Sequence, residues 1–160
     1  MDKRLSRIIN KIKEQNIKIA FAESVTCGLI AHKLNSFTGT SEFLMGSIVC
    51  YNPDVKKDLL GVPEKLIEKY STESAQVTEA LARNLSKLIT ADLYGAVTGL
   101  ATPLPESPHQ KGTIFLCLYD GKKLVSEKRL FRGTPKMIRK KAFGAMMELI
   151  ARQLKTPKRL

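Results

Sequence analysis

Short apolar runs alternate with amphipathic helical patterns along most of this chain, and this alternation restricts the fold more than any other feature. Strands that are joined by helices pair side by side in a parallel sheet, and the helices pack on its faces. The pair Asp120-Gly121 lies between two further strand patterns and favours a hairpin, which adds antiparallel strands. The sequence therefore predicts an α/β protein, a three-layer α/β/α sandwich on a mixed, mostly parallel sheet. The predicted strands are residues 17–22, 46–51, 93–99, 113–119 and 123–131.

The predicted helices each place their apolar residues on one side. Ser74 is a suitable N-cap for the fourth of them, because its hydroxyl can accept a hydrogen bond from a free N–H group of the first turn. In that helix the apolar stripe is Val77, Leu81, Leu85 and Leu88, and in the last helix the inward positions are Ile138, Ala142, Ala145, Met146, Leu149 and Ile150. The predicted helices are residues 3–15, 27–35, 54–62, 75–90 and 135–154.

The length and composition fit one globular domain. With 160 residues and 43% hydrophobic content, we expect a single domain over residues 1–160. No apolar run is long enough to span a bilayer, and the opening "MDKRLSRIINKIKEQ" is charged and amphipathic, so we expect a cytoplasmic protein with no membrane partner. Cys27, Cys50 and Cys117 are far apart and lack metal-binding spacing, so we expect reduced thiols and no metal.

The net charge favours an anionic partner. The chain has 27 Lys+Arg against 15 Asp+Glu, which leaves +12, and this charge suits a phosphorylated ligand or nucleic acid. However, the basic residues recur along the whole chain, and with only 6% aromatic residues no basic and aromatic surface for stacking bases is visible. We therefore interpret the charge as a solvated basic surface and expect no nucleic-acid partner.

Polar residues follow the first three predicted strands, at the point where each strand ends. Ligands of open α/β sheets bind beyond the carboxyl ends of the strands, so these side chains share one cleft if the strands are parallel neighbours. Backbone N–H groups at Cys27 and Gly28 would add donors for an anion. Each residue also has a structural explanation: the hydroxyls as helix caps, Cys27 as a packed thiol, the lysine as a surface residue. The candidates are Glu23, Ser24 and Thr26, then Tyr51 and Lys56, then Thr98 and Gly99.

Four separated motifs follow one another along the chain: "AESVTCGLIAHKLNSFTGTSEFLMGSIVCYNPDVKKDLLGV", "SAQVTEALA", "ADLYGAVTGLATP" and "KGTIFLCLY". Together they resemble the CinA C-terminal domain family, the nicotinamide mononucleotide deamidases, in a standalone short form. The resemblance is collinear from about Arg4 to Ile150. It implies a three-layer α/β/α domain, often a homodimer, without a metal or other cofactor. The implied reaction is hydrolysis of the carboxamide of a small-molecule mononucleotide, giving nicotinic acid mononucleotide and ammonia.

The resemblance also implies roles for individual residues. Amide hydrolysis needs a nucleophile, a base, an acid for the leaving ammonia, and donors for the oxyanion. We interpret Ser41 as the nucleophile, Lys56 as the general base and Tyr51 as the residue that relays or orients the proton, with Ser24 as the substitute nucleophile. Substrate binding is assigned to Glu23, Ser24, Thr26, Thr98, the backbone N–H groups near Gly28 and Gly99, and Arg139 for the phosphate.

The chain departs from the family pattern in its glycine-containing loops. "AESVTCG" has Val25 and Cys27 where the family usually has cysteine and glycine, and "TGLATPLPE" lacks the glycines of the family pattern "TGIAGPxGG". Two hypotheses follow from the resemblance. The chain is an amidohydrolase with altered preference or reduced activity, or it is a catalytically silent CinA-like protein with a binding or structural role.

Overall fold

The computed structural model describes residues 3–155, so the ends of the predicted domain 1–160 lie outside the described residues. Five strands form one sheet in the order β2-β1-β3-β4-β5. Strand β1 pairs in parallel with both β2 and β3, whereas β3–β4 and β4–β5 are antiparallel. The strands are β1 Ile19–Glu23, β2 Leu44–Val49, β3 Leu93–Gly99, β4 Thr113–Tyr119 and β5 Leu124–Leu130.

The helices form two layers on the sheet, which confirms the predicted sandwich. Apolar residues of α1, α2 and α6 belong to one buried cluster, and those of α5 with the segments around α3 and α4 belong to the other. No helix in the described part of the chain is long and apolar enough to cross a membrane. The helices are α1 Lys3–Glu14, α2 Leu29–Leu34, α3 Pro53–Asp58, α4 Glu64–Tyr70, α5 Ala75–Leu85 and α6 Pro135–Lys155.

The register of the parallel strands places their carboxyl ends side by side, at the same end of the sheet. Glu23, the last residue of β1, lies opposite Val49 of β2 and Val97 of β3. The loops that follow these strands therefore start side by side, as the sequence predicted. The candidate site lies at the carboxyl ends of these strands.

The helices differ most from the predictions at three elements: α3 ends at Asp58 rather than at residue 62, α5 ends early, and α4 is additional. Ser74 caps α5 as predicted, since its Oγ accepts a hydrogen bond from the Val77 N–H at 3.2 Å. The helix ends at Leu85, however, and Leu88 is 50% exposed, because the chain continues in turns and carries this residue off the apolar stripe. Helix α4 was not predicted, and it has no fully buried residue that would have produced an apolar pattern.

Close packing between β1 and β3 depends on Gly95. A Cβ added at Gly95 would lie 2.6 Å from Phe21 Cδ1, and Phe21 is fully buried. We predict that Gly95→Ala lowers the free energy of unfolding by about 1–3 kcal/mol in urea denaturation, because a packed core accommodates extra volume only with strain. Adding Phe21→Leu should cost less in the Gly95→Ala background than in the wild type.

Gly144 of α6 offers the matched control, since a Cβ added there would meet nothing within 4 Å. Gly144→Ala should raise the free energy of unfolding by about 0.5–1 kcal/mol, because alanine is favoured over glycine within a helix. Equal effects of the two substitutions would show that the ring of Phe21 does not require Gly95.

Candidate functional site

A buried lysine and a buried serine meet at the carboxyl edge of the parallel strands. Asn52 begins α3 by accepting a hydrogen bond from the Asp54 N–H at 2.8 Å, and this helix carries Lys56 back towards β1. Lys56 Nζ lies 3.1 Å from Ser24 Oγ and also donates to the Tyr51 carbonyl oxygen at 3.1 Å. Lys56 is fully buried and Ser24 is 4% exposed. The structure thus pairs an amine with a hydroxyl and shields both from water.

Burial sets the protonation of this site. It lowers the pKa of Lys56, and attraction to the ionised forms of Cys50 and Glu73 opposes that effect only in part. Burial likewise raises the pKa of Glu73, against the attraction of Lys56, and raises the pKa of the Cys50 thiol to about 11. The low-dielectric surroundings therefore favour the neutral amine, whose lone pair can accept a proton from Ser24.

Thr98, near the end of β3, belongs to a separate buried chain of hydroxyls. Its Oγ1 lies 2.8 Å from Thr78 Oγ1, and Thr78 donates its own proton to the Ser74 carbonyl oxygen at 2.6 Å. Because a hydroxyl has one proton, Thr98 must be the donor in the first contact. The backbone of β3 reaches the Ser24–Lys56 pair one residue earlier, since the Ser24 N–H donates to the Val97 carbonyl oxygen at 3.0 Å.

Glu23 has a structural role at the end of β1. Its buried carboxylate accepts hydrogen bonds from the N–H groups of Ile30 and Ala31, both at 3.0 Å, and from Ser47 Oγ at 2.8 Å. These three bonds tie the end of β1 to the first turn of α2 and to β2. The carboxylate is thereby occupied by bonds within the protein, and the assignment of Glu23 to substrate binding stays a prediction.

The structure also separates Ser41 from Lys56. Ser41 is exposed in the short 3-10 turn Thr40–Glu42, which precedes β2, whereas Lys56 follows β2. A strand advances about 3.3 Å per residue, so the six residues of β2 place Ser41 and Lys56 at opposite ends of this strand. The structure therefore does not bring Ser41 beside Lys56, where the substitute candidate Ser24 lies instead, and the identity of the nucleophile stays a prediction.

Tyr51 and Cys27 also differ from their predicted environments. Tyr51 contacts Lys56 through its backbone carbonyl oxygen, and the residue is 63% exposed. The structure therefore places the carbonyl, and not the phenol, in hydrogen-bond contact with this lysine. Cys27 is exposed rather than packed, and its φ of 49° is the left-handed conformation that permits a sharp turn after β1.

The two glycines in the predicted set have conformational roles. Gly28 has a φ of 87°, which completes the left-handed turn into α2. Gly99 has a φ of 148°, and a side chain there would collide with the Thr113 carbonyl oxygen of β4. The close approach of β3 and β4 accounts for Gly99 without a ligand, whereas Gly28 also lines a cavity.

This cavity, of about 500 Å³, lies between the turn after β1 and the start of α6. Thr26 lines it, is 2% exposed, and has an Oγ1 without a hydrogen-bond partner among the described residues. Arg139 Nε donates to the Val25 carbonyl oxygen at 3.1 Å, which holds the guanidinium beside the turn, and Lys136 adds a second positive charge. The structure thus brings Thr26, Gly28 and Arg139 together at a site suited to an anion.

Sequence reasoning missed Glu73 and Thr78. Glu73 is one residue before the N-cap of α5, and its charge acts on Lys56 from across the site. Thr78 follows Ser74 by four residues on the buried face of α5. A polar residue on an apolar face was the available signal for Thr78, whereas nothing local marks Glu73, because its proximity to Lys56 comes from the loop after α4.

The fold and this geometry define a class: an α/β sandwich with a buried serine–lysine pair at the carboxyl edge of its parallel strands. The family model for the CinA C-terminal domain matches residues 2–154, so this chain belongs to the CinA C-terminal domain family. This finding confirms the resemblance seen in the sequence motifs.

Relatives agree with that membership. A CinA-like protein of Geobacter metallireducens is 37% identical over 143 residues, 89% of this chain and 35% of that protein. A putative competence-damage inducible protein of Bacillus subtilis is 34% identical over 143 residues, 89% of this chain and 34% of that protein. The chain spans about a third of the length of these curated relatives. The crystal structure of competence damage-inducible protein A from Klebsiella pneumoniae has a TM-score of 0.93 at 20% identity, covers 98% of both chains, and shows the same fold.

Burial of Lys56 predicts a measurable effect on stability. Its pKa is lower in the folded state, so below the pKa of an unfolded lysine the unfolded chain takes up the proton more readily than the folded one. Wild-type stability should therefore fall as the pH falls from about 10.5 towards the folded pKa, and should stay low below it. We expect Lys56→Met to be more stable than the wild type at neutral pH, by a margin that shrinks as the pH approaches the pKa of free lysine.

Urea denaturation across that pH range measures the margin. Lys65→Met is the matched control, because Lys65 is exposed on α4 and loses the same charge without relieving burial. A Lys56→Met protein that is less stable than the wild type at neutral pH would contradict the desolvation argument.

The role of Glu23 predicts a second effect. Glu23→Gln keeps the shape of the side chain but turns an NH₂ group towards a backbone or hydroxyl donor. We expect a loss of about 2–3 kcal/mol in the free energy of unfolding, since bonds to a buried charged acceptor are strong and an unpaired donor remains. Glu68→Gln, on the exposed face of α4, should change stability by less than about 0.5 kcal/mol. Similar values for the two variants would remove Glu23 from its structural role.

Proposed function

We propose that this protein is an amidohydrolase that converts nicotinamide mononucleotide into nicotinic acid mononucleotide and ammonia, with Ser24 as nucleophile and Lys56 as general base. The observation that carries the proposal is the 3.1 Å contact between Lys56 Nζ and Ser24 Oγ, with both side chains buried. Membership of the CinA C-terminal domain family supports the reaction class, and the sequence resemblance supplies the substrate.

The geometry suits a two-step acyl transfer. The lone pair of neutral Lys56 takes the hydroxyl proton while Ser24 Oγ bonds to the carboxamide carbon. The resulting ammonium group then gives this proton to the nitrogen as the carbon–nitrogen bond breaks, so ammonia leaves and an ester with Ser24 remains. Water hydrolyses the ester, with Lys56 again as base, and restores the free hydroxyl. The Tyr51 carbonyl oxygen holds the amine in position throughout.

The cavity at Thr26, which is two residues along the chain from Ser24, is assigned to the rest of the substrate. In this proposal the phosphate lies against Arg139 and Lys136, and the Thr26 hydroxyl supplies a donor to the ligand. The divergent loop does not obstruct this space: residues 102–106 are exposed and none of them lines the cavity. That observation favours the enzyme over the catalytically silent alternative, although both share the fold.

Ammonia release from nicotinamide mononucleotide tests the proposal. We expect Ser24→Ala and Lys56→Met to lower kcat/KM by at least roughly 1,000-fold, because each removes one half of a pair that acts as a unit. Ser41→Ala is the matched serine control and should retain wild-type activity, since Ser41 is exposed at the opposite end of β2. The wild-type rate should rise with pH as Lys56 loses its proton, with an apparent pKa below that of free lysine.

The outcomes separate the hypotheses. Loss of activity in Ser41→Ala with retention in Ser24→Ala would overturn the assignment of the nucleophile. Folded wild-type protein that releases no ammonia would contradict the deamidase proposal and favour the catalytically silent CinA-like alternative.

A further inference from the structure

A second cavity opens on the face of the sheet opposite Lys56. It lies between α1, the end of α2 and α6, has a volume of about 390 Å³, and shares no lining residue with the cavity at Thr26. Cavities of this size accommodate small organic ligands. Its apolar lining consists of Leu5, Ile8, Phe37, Phe143 and Met147.

Positive charge surrounds this apolar floor. Lys33, Lys140 and Arg4 line the cavity, against a single carboxylate, Glu148, which pairs with Arg4 at 3.0 Å. Lys33 Nζ lies 5.8 Å from the centre of the Phe143 ring, so a cation is held directly above an aromatic wall. Lys140 is exposed on the same helix as that ring. An apolar floor beneath two lysines is complementary to a ligand that carries both an apolar body and an acid group.

Gly144 borders free volume in the cavity. It lies within α6, where glycine weakens a helix relative to alanine. A Cβ added at Gly144 would meet nothing within 4 Å, so no packing contact requires a glycine there. The missing side chain instead leaves free volume beside Phe143 and Met147, which are otherwise almost fully buried.

We propose that this cavity binds an aromatic organic anion, a molecule with a planar apolar body and one carboxylate, sulfonate or phosphate group. The aromatic body packs against Phe37 and Phe143, since aromatic rings gain from edge and offset contacts, and the acid group lies between Lys33 and Lys140. The proposal goes beyond the amidohydrolase function, because none of the lining residues belongs to the Ser24–Lys56 pair.

Two fluorescent dyes that share one aromatic body test the role of charge. Anilinonaphthalenesulfonate carries a sulfonate, and phenylnaphthylamine is its uncharged counterpart. We expect one sulfonate dye per folded chain, bound roughly tenfold more tightly than the neutral dye. In a Lys33→Gln, Lys140→Gln double variant this preference should disappear. A Lys122→Gln, Lys123→Gln protein, which loses two charges from the β4–β5 turn outside the cavity, should keep it.

Substitutions at Gly144 test the location. Gly144→Leu should weaken binding of both dyes at least roughly tenfold by filling the cavity, while Gly144→Ala should bind as the wild type does. Thermal unfolding confirms that each variant is folded, and Gly144→Ala should melt roughly 2–4 °C higher than the wild type. If Gly144→Leu does not fold, the lysine double variant and its control still decide the question.

Three results would overturn the proposal. The first is unchanged dye binding in folded Gly144→Leu, which would place the dye elsewhere. The second is equal affinity of the wild type for the two dyes, which would show that the acid group does not contribute to binding. The third is dye binding that weakens as protein concentration rises. That result would show that a second copy of this chain covers the cavity.

Discussion

The buried carboxylate of Glu23 is the interaction on which the arrangement of the site depends. It ends β1, and it accepts bonds from the first turn of α2 and from Ser47 of β2, so one side chain joins three elements. The chain must reverse directly after Glu23 to bring α2 over its carboxylate, and it does so with left-handed conformations at Cys27 and Gly28. That turn leaves Ser24 facing α3, on the side of the sheet where Lys56 lies. A structural carboxylate thus sets the position of the Ser24 hydroxyl beside it.

Burial of Lys56 lowers the stability of the fold and, at the same time, lowers the pKa of its amine. A buried ammonium loses its hydration, and Glu73 returns only part of that loss, since the Cys50 thiol with its raised pKa is uncharged at neutral pH. A methyl-ended side chain of similar length would fill the same space without this cost. The same desolvation that weakens the fold favours the neutral amine, and only the neutral amine can deprotonate Ser24 at ordinary pH. Local sacrifice of stability for a tuned pKa is typical of functional sites rather than of structural ones.

Local patterns predicted most of the fold but only part of the site. Strands β3 and β4 have the predicted bounds, because each is an apolar run between turn residues, and Asp120-Gly121 forms the expected hairpin turn. A motif match, by contrast, gives the position of a residue in the chain but neither the edge of the sheet where it lies nor the direction of its side chain. For this reason Ser41 was placed beside Lys56 although a whole strand separates them, and Tyr51 was given a phenol contact that its backbone makes. Glu73 was invisible for a different reason, since its effect on Lys56 depends on the path of a loop.

Helix α6 links the two cavities physically, because adjacent residues on a helix point about 100° apart. Arg139 donates to the Val25 carbonyl oxygen at the turn after β1, while the next residue, Lys140, lines the cavity against α1. The same helix packs Met146 and Ile150 against the sheet, fully buried, so it cannot bend locally without disturbing the core. Arg139 and Lys140, neighbouring cations of α6, thus line two separate cavities of the protein.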